Sequence, residues 1–214
     1  MPRTYKQIPI YIPDLFKSIV EEVGVNINDE ISTAYSQAMA SDSGTVPNIE
    51  LRTQFIPGTI LEILERLSEK NDSPKQKEFI WPMVGLIHNF KESFGKEGIY
   101  NETQLTLWIC HLSDQNSTYT DRYTKVFKTV LYPIWLEMMS VIQNSYKFSI
   151  DEITGVEYGK IDRPKWGRYQ DLYGNYDYEL NEFIDGIELQ LTLKINNDNC
   201  LNHSIEPQQI KFLN

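Results

Sequence analysis

A chain of 214 residues with 41% apolar and 23% charged side chains has an ordinary globular balance and is long enough for one domain with a real core. Its net charge of −10 argues against a general grip on phosphate backbones, which takes clustered lysine and arginine. No window approaches about 18 uninterrupted apolar residues, so no membrane span is expected, and the opening "MPRTYKQIPIYIPDLFK" lacks the apolar core of a signal peptide.

From the N-terminus, Asp14 to Val23 predicts a short amphipathic helix. Leu15, Phe16, Ile19, Val20 and Val23 share one face, and Gly24 is expected to end it. Residues 24–50 are polar and without clear period, and long for a loop in a compact domain. They read as a projecting hairpin or flexible arm. "IELRTQF" is expected to be a strand. "PGTILEILERLSEK" predicts a helix with Ile60, Leu61, Leu64 and Leu67 on one face, a strand being the competing assignment for its first half. "NDSPKQKE" is a polar connector.

"FIWPMVGLIH" reads as a buried strand in which Pro82, unable to donate a ladder hydrogen bond, should sit at an edge or irregularity. "NFKESFGKEGIYNE" is expected to be a loop. "TQLTLWICHL" then alternates, with Leu105, Leu107 and Ile109 on one face and Trp108 and Cys110 on the other, as in a strand with two partly covered faces. "DRYTKVFKTVLYPIWLEMMSVIQNS" predicts a long helix through Tyr123, Phe127, Val130, Leu131, Ile134, Trp135, Met138 and Ile142. Thr120 or Asp121 would cap it and Pro133 would kink it. In "IDGIELQLTLKI", Ile187, Leu189, Leu191, Leu193 and Ile195 alternate with Glu188, Gln190, Thr192 and Lys194, which predicts a long strand with one face on the core and one wet.

Helices and strands mix here without regular alternation. The expected class is α+β: a mainly antiparallel sheet with a long kinked helix packed on one face, and an extended arm. Residues 1–196 form one domain in this reading, with 24–50 as a projecting segment, 157–182 as an aromatic arm and 197–214 as a C-terminal extension.

Catalytic motifs are not found. His88, His111 and His203 lie in no zinc-binding spacing, and the neighbours Cys110 and His111 point to opposite faces of a strand, so no metal or other cofactor is expected. Cys110 and Cys200 are far apart and read as free thiols of a reducing compartment. No phosphate-binding glycine loop or nucleophile elbow appears, and no carboxylate pair stands out by spacing. The chain is therefore read as a non-enzyme, with a small carboxylate-based hydrolase or nuclease as one alternative.

Acidic residues cluster. Glu21, Glu22, Asp29, Glu30, Asp42 and Glu50 fall in a stretch without Lys or Arg, and so do Asp171, Asp177, Glu179, Glu182, Asp185 and Glu188. Such runs are solvated faces, or a surface that repels DNA. Overlapping the second run, "KIDRPKWGRYQDLYGNYDYELNEF" carries Trp166, Tyr169, Tyr173, Tyr176 and Tyr178, with Lys160, Arg163, Lys165 and Arg168 interleaved in its first half. Tyr, Trp and Arg are enriched at interface hot spots, and aromatics beside arginine also stack on bases. Three readings stay open: contact with another subunit, single-stranded nucleic-acid binding, or a loop lying back on its own sheet. Arg163, Trp166, Arg168, Tyr169 and Tyr173 are the candidate interface residues.

The order "FIWPMVGLI", "YNETQLTLWICHL", "DRYTKVFKTVLYPIWLEMMSVIQNS", "KIDRPKWGR" and "FIDGIELQLTLKI" resembles small structural proteins of tailed bacteriophages, encoded among the head–tail connection genes, notably in crAss-like and related phages. The resemblance covers Phe79 to Ile195; the chain before it matches only loosely. It implies a tail-terminator-like fold and a neck or tail-terminator ring subunit of the virion. Copies of the subunit would close a ring that meets the portal and adjacent ring or tail proteins, with genomic DNA passing through the lumen without sequence-specific binding and no membrane involved. It also implies that Arg163, Trp166 and Arg168 lie on the arm that meets a neighbour, and it brings no catalytic residues. Acidic surface turned to the lumen would keep passing DNA from sticking.

Overall fold

The computed structural model describes residues 11–40, 44–71, 81–94, 100–114, 116–148, 156–166, 168–170, 176–178 and 183–196. The expected connector after Asn71, Tyr173, Cys200, His203 and the C-terminal extension lie outside them. The elements run α1 (Ile12–Ala38), β1 (Gln54–Gly58), α2 (Ile60–Asn71), β2 (Met83–Phe94) and β3 (Tyr100–Ser113). A long helix, α3, follows in three contiguous stretches: α-helical Tyr119–Arg122, π-helical Tyr123–Leu131 and α-helical Tyr132–Asn144. Then come β4 (Glu157–Trp166), β5 (Arg168–Gln170), β6 (Tyr176–Tyr178) and β7 (Phe183–Asn196).

Five strands make one sheet in the order β1-β2-β3-β7-β4. β1 runs parallel to β2, and every other neighbour is antiparallel. The fold is the expected α+β arrangement, with α3 packed on a mostly antiparallel sheet. β3 and β7 are its centre, paired without interruption from Tyr100↔Asn196 to Ser113↔Phe183. Their alternation is as the sequence predicts. Leu105, Leu107, Ile109, Ile187, Leu189, Leu191, Leu193 and Ile195 enter the main core beneath α1 and α3. Trp108 and Cys110 enter a second, smaller core with Ile56, Ile63, Met83 and Ile87, covered by α2.

Five local expectations are corrected. α1 does not stop at Gly24; it continues to Ala38 and buries Ile27, Ile31 and Ser36. A Cβ at Gly24 would come within 3.1 Å of the Asn28 amide, so glycine there makes room for a side chain rather than ending the helix. The described residues of 24–50 are accordingly no projecting arm. The chain beyond α1 returns along the helix, and the backbone N–H groups of Ile49, Leu51 and Thr53 donate to Ser36 Oγ (3.0 Å), Ser32 Oγ (2.8 Å) and Asn28 Oδ1 (3.1 Å). Two extended residues advance about 6.6 Å and four helical residues about 6.0 Å, so the two repeats stay in step. The strand expected over "IELRTQF" begins only at Gln54, because the residues before it pair with a helix instead of a strand.

The loop expected over 89–102 is mostly strand. β2 runs to Phe94 and β3 starts at Tyr100, with a register shift between Ile87 and Lys91. Lys91, Glu92 and Ser93 are exposed, so this end of the hairpin reaches past the core and carries no apolar alternation. Pro82 precedes β2, outside the ladder, where its carbonyl accepts from Gln54 N (2.9 Å).

In α3 the cap is Thr118, two or three residues before those expected, and it forms a capping box with Asp121. Pro133 follows a widened register: Tyr132 N–H donates to the carbonyl of Phe127, five residues back. A proline lacks the N–H for an α-helical bond and its ring crowds the carbonyl four residues before it; wider turns give that carbonyl room.

Candidate functional site

The aromatic segment is the place where sequence and structure meet most directly. Its first part, Glu157 to Trp166, is β4, an edge strand bonded on one side to β7. This corrects the expectation of an extended aromatic arm over 157–182 for those residues. Arg163 lies opposite Gly186 and Trp166 opposite Ile184, with a bulge between them. Arg168 and Tyr169 belong to β5, which pairs with β6 in a separate two-stranded sheet, Arg168 opposite Tyr178 and Tyr169 opposite Asp177. Arg163 and Trp166 therefore share a strand, whereas Arg168 and Tyr169 sit on a different ribbon.

Alternation gives β4 two faces. Tyr158, Lys160 and Asp162 turn toward α3. Tyr132 Oη donates to Asp162 Oδ2 at 2.7 Å, Tyr123 Oη reaches the same oxygen at 3.4 Å, and Lys160 pairs with Oδ1. The Lys160 ammonium stands 4.7 Å from the Tyr132 ring centre and 5.0 Å from that of Trp135. A line of rings, Tyr119, Tyr123, Phe127, Tyr132, Trp135 and Tyr158, runs along α3 onto the strand. Burial, then the bond to Asp162, pushes the Tyr132 phenol up to about 12. The bond with Tyr119, then burial and the Asp162 charge, raises that of Tyr123 as well. Both phenols stay protonated at neutral pH and serve as donors that clamp the edge strand to the helix.

Glu157, Gly159, Ile161 and Arg163 turn to the other face of the sheet. Arg163 donates through Nε (3.2 Å) and Nη2 (2.8 Å) to Glu188 Oε2 on β7. The half of this face not under α2 is polar. A trough of about 530 Å³ lies there, lined by Gln104, Thr106, Gln190 and Thr192 between Lys91 and Glu157. The register places Lys91, Gln104, Thr192 and Glu157 in one row across four strands.

The far end of β4 is held by a buried charge. Asp185 is 0% and Arg122 1% exposed, and they pair at 3.0 Å. Asp185 also accepts from Ser113 Oγ (2.7 Å) and from the Lys165 backbone N–H (2.9 Å). Arg122 donates to Ser113 Oγ and to the carbonyls of Asp114 (2.5 Å) and Ser117 (3.3 Å). Lys165 has a φ of 56°, a left-handed conformation uncommon outside glycine, in the bulge that closes the strand. These polar anchors were not singled out from the sequence, although one signal was present: Asp185 is in phase with Ile187, Leu189 and Leu191, the buried face of β7. The second acidic run is corrected to this extent. Asp185 and Glu188, its described members on β7, are spent on internal ion pairs rather than on a surface facing DNA. In the first run, Glu21, Glu22, Asp29 and Glu30 are exposed along α1.

His111 is on the buried face of β3, 3% exposed, edge-on to Tyr35 at 4.9 Å, while Cys110 faces the second core. Among the described residues neither His111 nitrogen has a hydrogen-bond partner, and burial lowers its pKa to about 4. Burial, then Asp185, raises the Cys110 thiol well above its usual range, so it is a packed, unreactive side chain. Among the described residues no group of three His, Cys, Asp or Glu could hold a metal ion, and no helix is long and apolar enough to cross a membrane.

No protein-family model and no curated protein matches the chain.

Proposed function

We propose that this protein is a structural subunit of a tailed-phage virion, closing with copies of itself into a ring of the neck or tail between portal and tail. The observation that carries the reading is β4. The first part of the Tyr/Trp/Arg segment, Glu157–Trp166, forms a sheet edge whose outer side is unpaired among the described residues, with Tyr158 46% and Ile161 41% exposed on its two faces. A head-to-tail ring needs two different complementary patches on each subunit, and an ordered strand edge beside rigid aromatics is a suitable half of such a pair. The resemblance over Phe79 to Ile195 supports the same reading, as does the α+β fold it implies.

The competing use of this segment, binding single-stranded nucleic acid, fits less well. The net charge is −10, Lys160 is paired with Asp162, and the charge of Arg163 is already balanced by Glu188. Electron microscopy of the protein co-expressed and purified with the portal and connector proteins of the phage it would belong to tests the proposal. Closed annular particles containing this chain are expected. A chain that never joins the portal complex, and binds single strands with steep salt dependence, would replace the proposal with the nucleic-acid reading.

A further inference from the structure

The edge strand carries a pattern that matches itself. Among the described residues the sheet has two free edges, β1 and β4. β1 is five residues long and contains Pro57, which offers no N–H, so it is a poor template for another strand. β4 is ten residues long, and its regular part runs from Glu157 to Arg163 before Pro164 and the left-handed Lys165 close it.

Lay a second copy of β4 antiparallel beside the first, with the two-fold axis at Lys160. Glu157 then falls opposite Arg163 of the second copy, and Gly159 opposite its Ile161. Both pairs lie on the sheet face away from α3, and the symmetry repeats each of them. The acid meets a base, and the exposed isoleucine meets the one residue without a side chain. Arg163 uses Nε and Nη2 on Glu188, and a guanidinium has a third nitrogen with which to meet a second carboxylate. On the α3 face Tyr158 falls opposite Asp162. Lys160 meets its own copy, but each Lys160 is neutralised by its own Asp162 and held over Tyr132 and Trp135. A shift of the axis by one residue either way loses the Glu157–Arg163 match.

We infer that the free protein forms a two-fold dimer by antiparallel β4–β4 pairing centred on Lys160, joining two five-stranded sheets into one. This is an isologous contact that closes on two copies, and it holds whether or not a ring forms later. A ring that used the same edge would have to open the dimer first.

Charge exchange tests it. Light scattering of the isolated protein is expected to give twice the chain mass. Glu157→Arg places like charges together at two symmetric positions and should weaken the dimer about tenfold, and adding Arg163→Glu should restore it. Because Arg163→Glu also turns an acid toward Glu188, a second variant, Ile161→Lys at an exposed site, should weaken the dimer with the melting temperature of the subunit unchanged. A monomer at every concentration would overturn the inference, and so would a dimer indifferent to Glu157→Arg and Ile161→Lys. A larger closed assembly in the isolated protein would overturn the two-fold pairing while leaving the ring reading in place.

Discussion

Arg122 and Asp185 meet at 3.0 Å with both side chains sealed from solvent, and this pair joins α3 to β7 at the end of the sheet where β4 terminates. Asp185 also accepts from Ser113 Oγ and from the Lys165 backbone N–H. Removing one partner strands a charge in the interior. Arg122→Met should cost about 3–5 kcal/mol in chemical denaturation. Arg122→Met combined with Asp185→Leu should recover much of that loss, since replacing both charges of a buried pair by apolar groups is often close to neutral. A single variant as stable as the parent would show that the pair carries no weight.

His111 makes stability pH-dependent with a definite sign. Its folded-state pKa is lowered to about 4 by burial, from an ordinary value of 6.5. Below the ordinary value the unfolded chain takes a proton that the folded chain refuses, so stability is full above that pH and falls until the folded-state value is reached. The loss through that window is on the order of 3 kcal/mol. His111→Phe, which can keep the edge-on packing against Tyr35, should flatten this part of the curve. Denaturant midpoints measured across the window check it, and a variant with the parent's slope would rule out His111 as the cause.

The phenols of α3 should control how firmly β4 is held. Tyr132→Phe removes the 2.7 Å bond to Asp162 and leaves the ring beneath Lys160. A bond to a charged acceptor contributes about 1.5–3 kcal/mol, so faster amide exchange along β4 is expected, with little change in β3. Alkali should act the same way. The folded-state pKa of Tyr132 is raised to about 12, so the stability held below the ordinary tyrosine value is lost as pH rises toward the raised one. Uniform exchange in Tyr132→Phe and the parent would dismiss the clamp.

What was legible in the sequence follows from periodicity. β3 and β7 announce themselves because both are central, and each alternates between a dry face and a second environment. Even Trp108 and Cys110 fall on the side that the alternation assigns. The full length of α1 is not legible, because Gly24 looks like a stop and because beyond it the buried stripe thins to Ile27 and Ile31 among polar residues. The distal hairpin was lost for the opposite reason: its strands leave the core and keep no apolar alternation. At the candidate site, the interleaving of Tyr, Trp and Arg pointed to β4. It could not say that Arg163 would find Glu188 across the sheet, or that Lys160, Asp162 and Tyr132 would meet, because those contacts depend on strand register and on helix placement.

The polar rungs between α1 and the segment that follows it hold residues 49–53 against the helix, and they can be tested directly. Asn28, Ser32 and Ser36 receive the N–H groups of Thr53, Leu51 and Ile49, so a helix supplies the acceptors that a neighbouring strand would otherwise provide. Leu51 is buried, and its N–H has little access to water if Ser32 is lost. Ser32→Ala should therefore cost about 1–3 kcal/mol, the penalty of one unsatisfied buried donor. Ser36→Ala should cost less, because Ile49 is only half-buried and water can replace the hydroxyl. In amide exchange, Leu51 should be protected in the parent protein and lose that protection in Ser32→Ala, with α1 itself unchanged. If residues 49–53 instead exchange at the rate of a free arm in the parent, this segment projects from the domain after all.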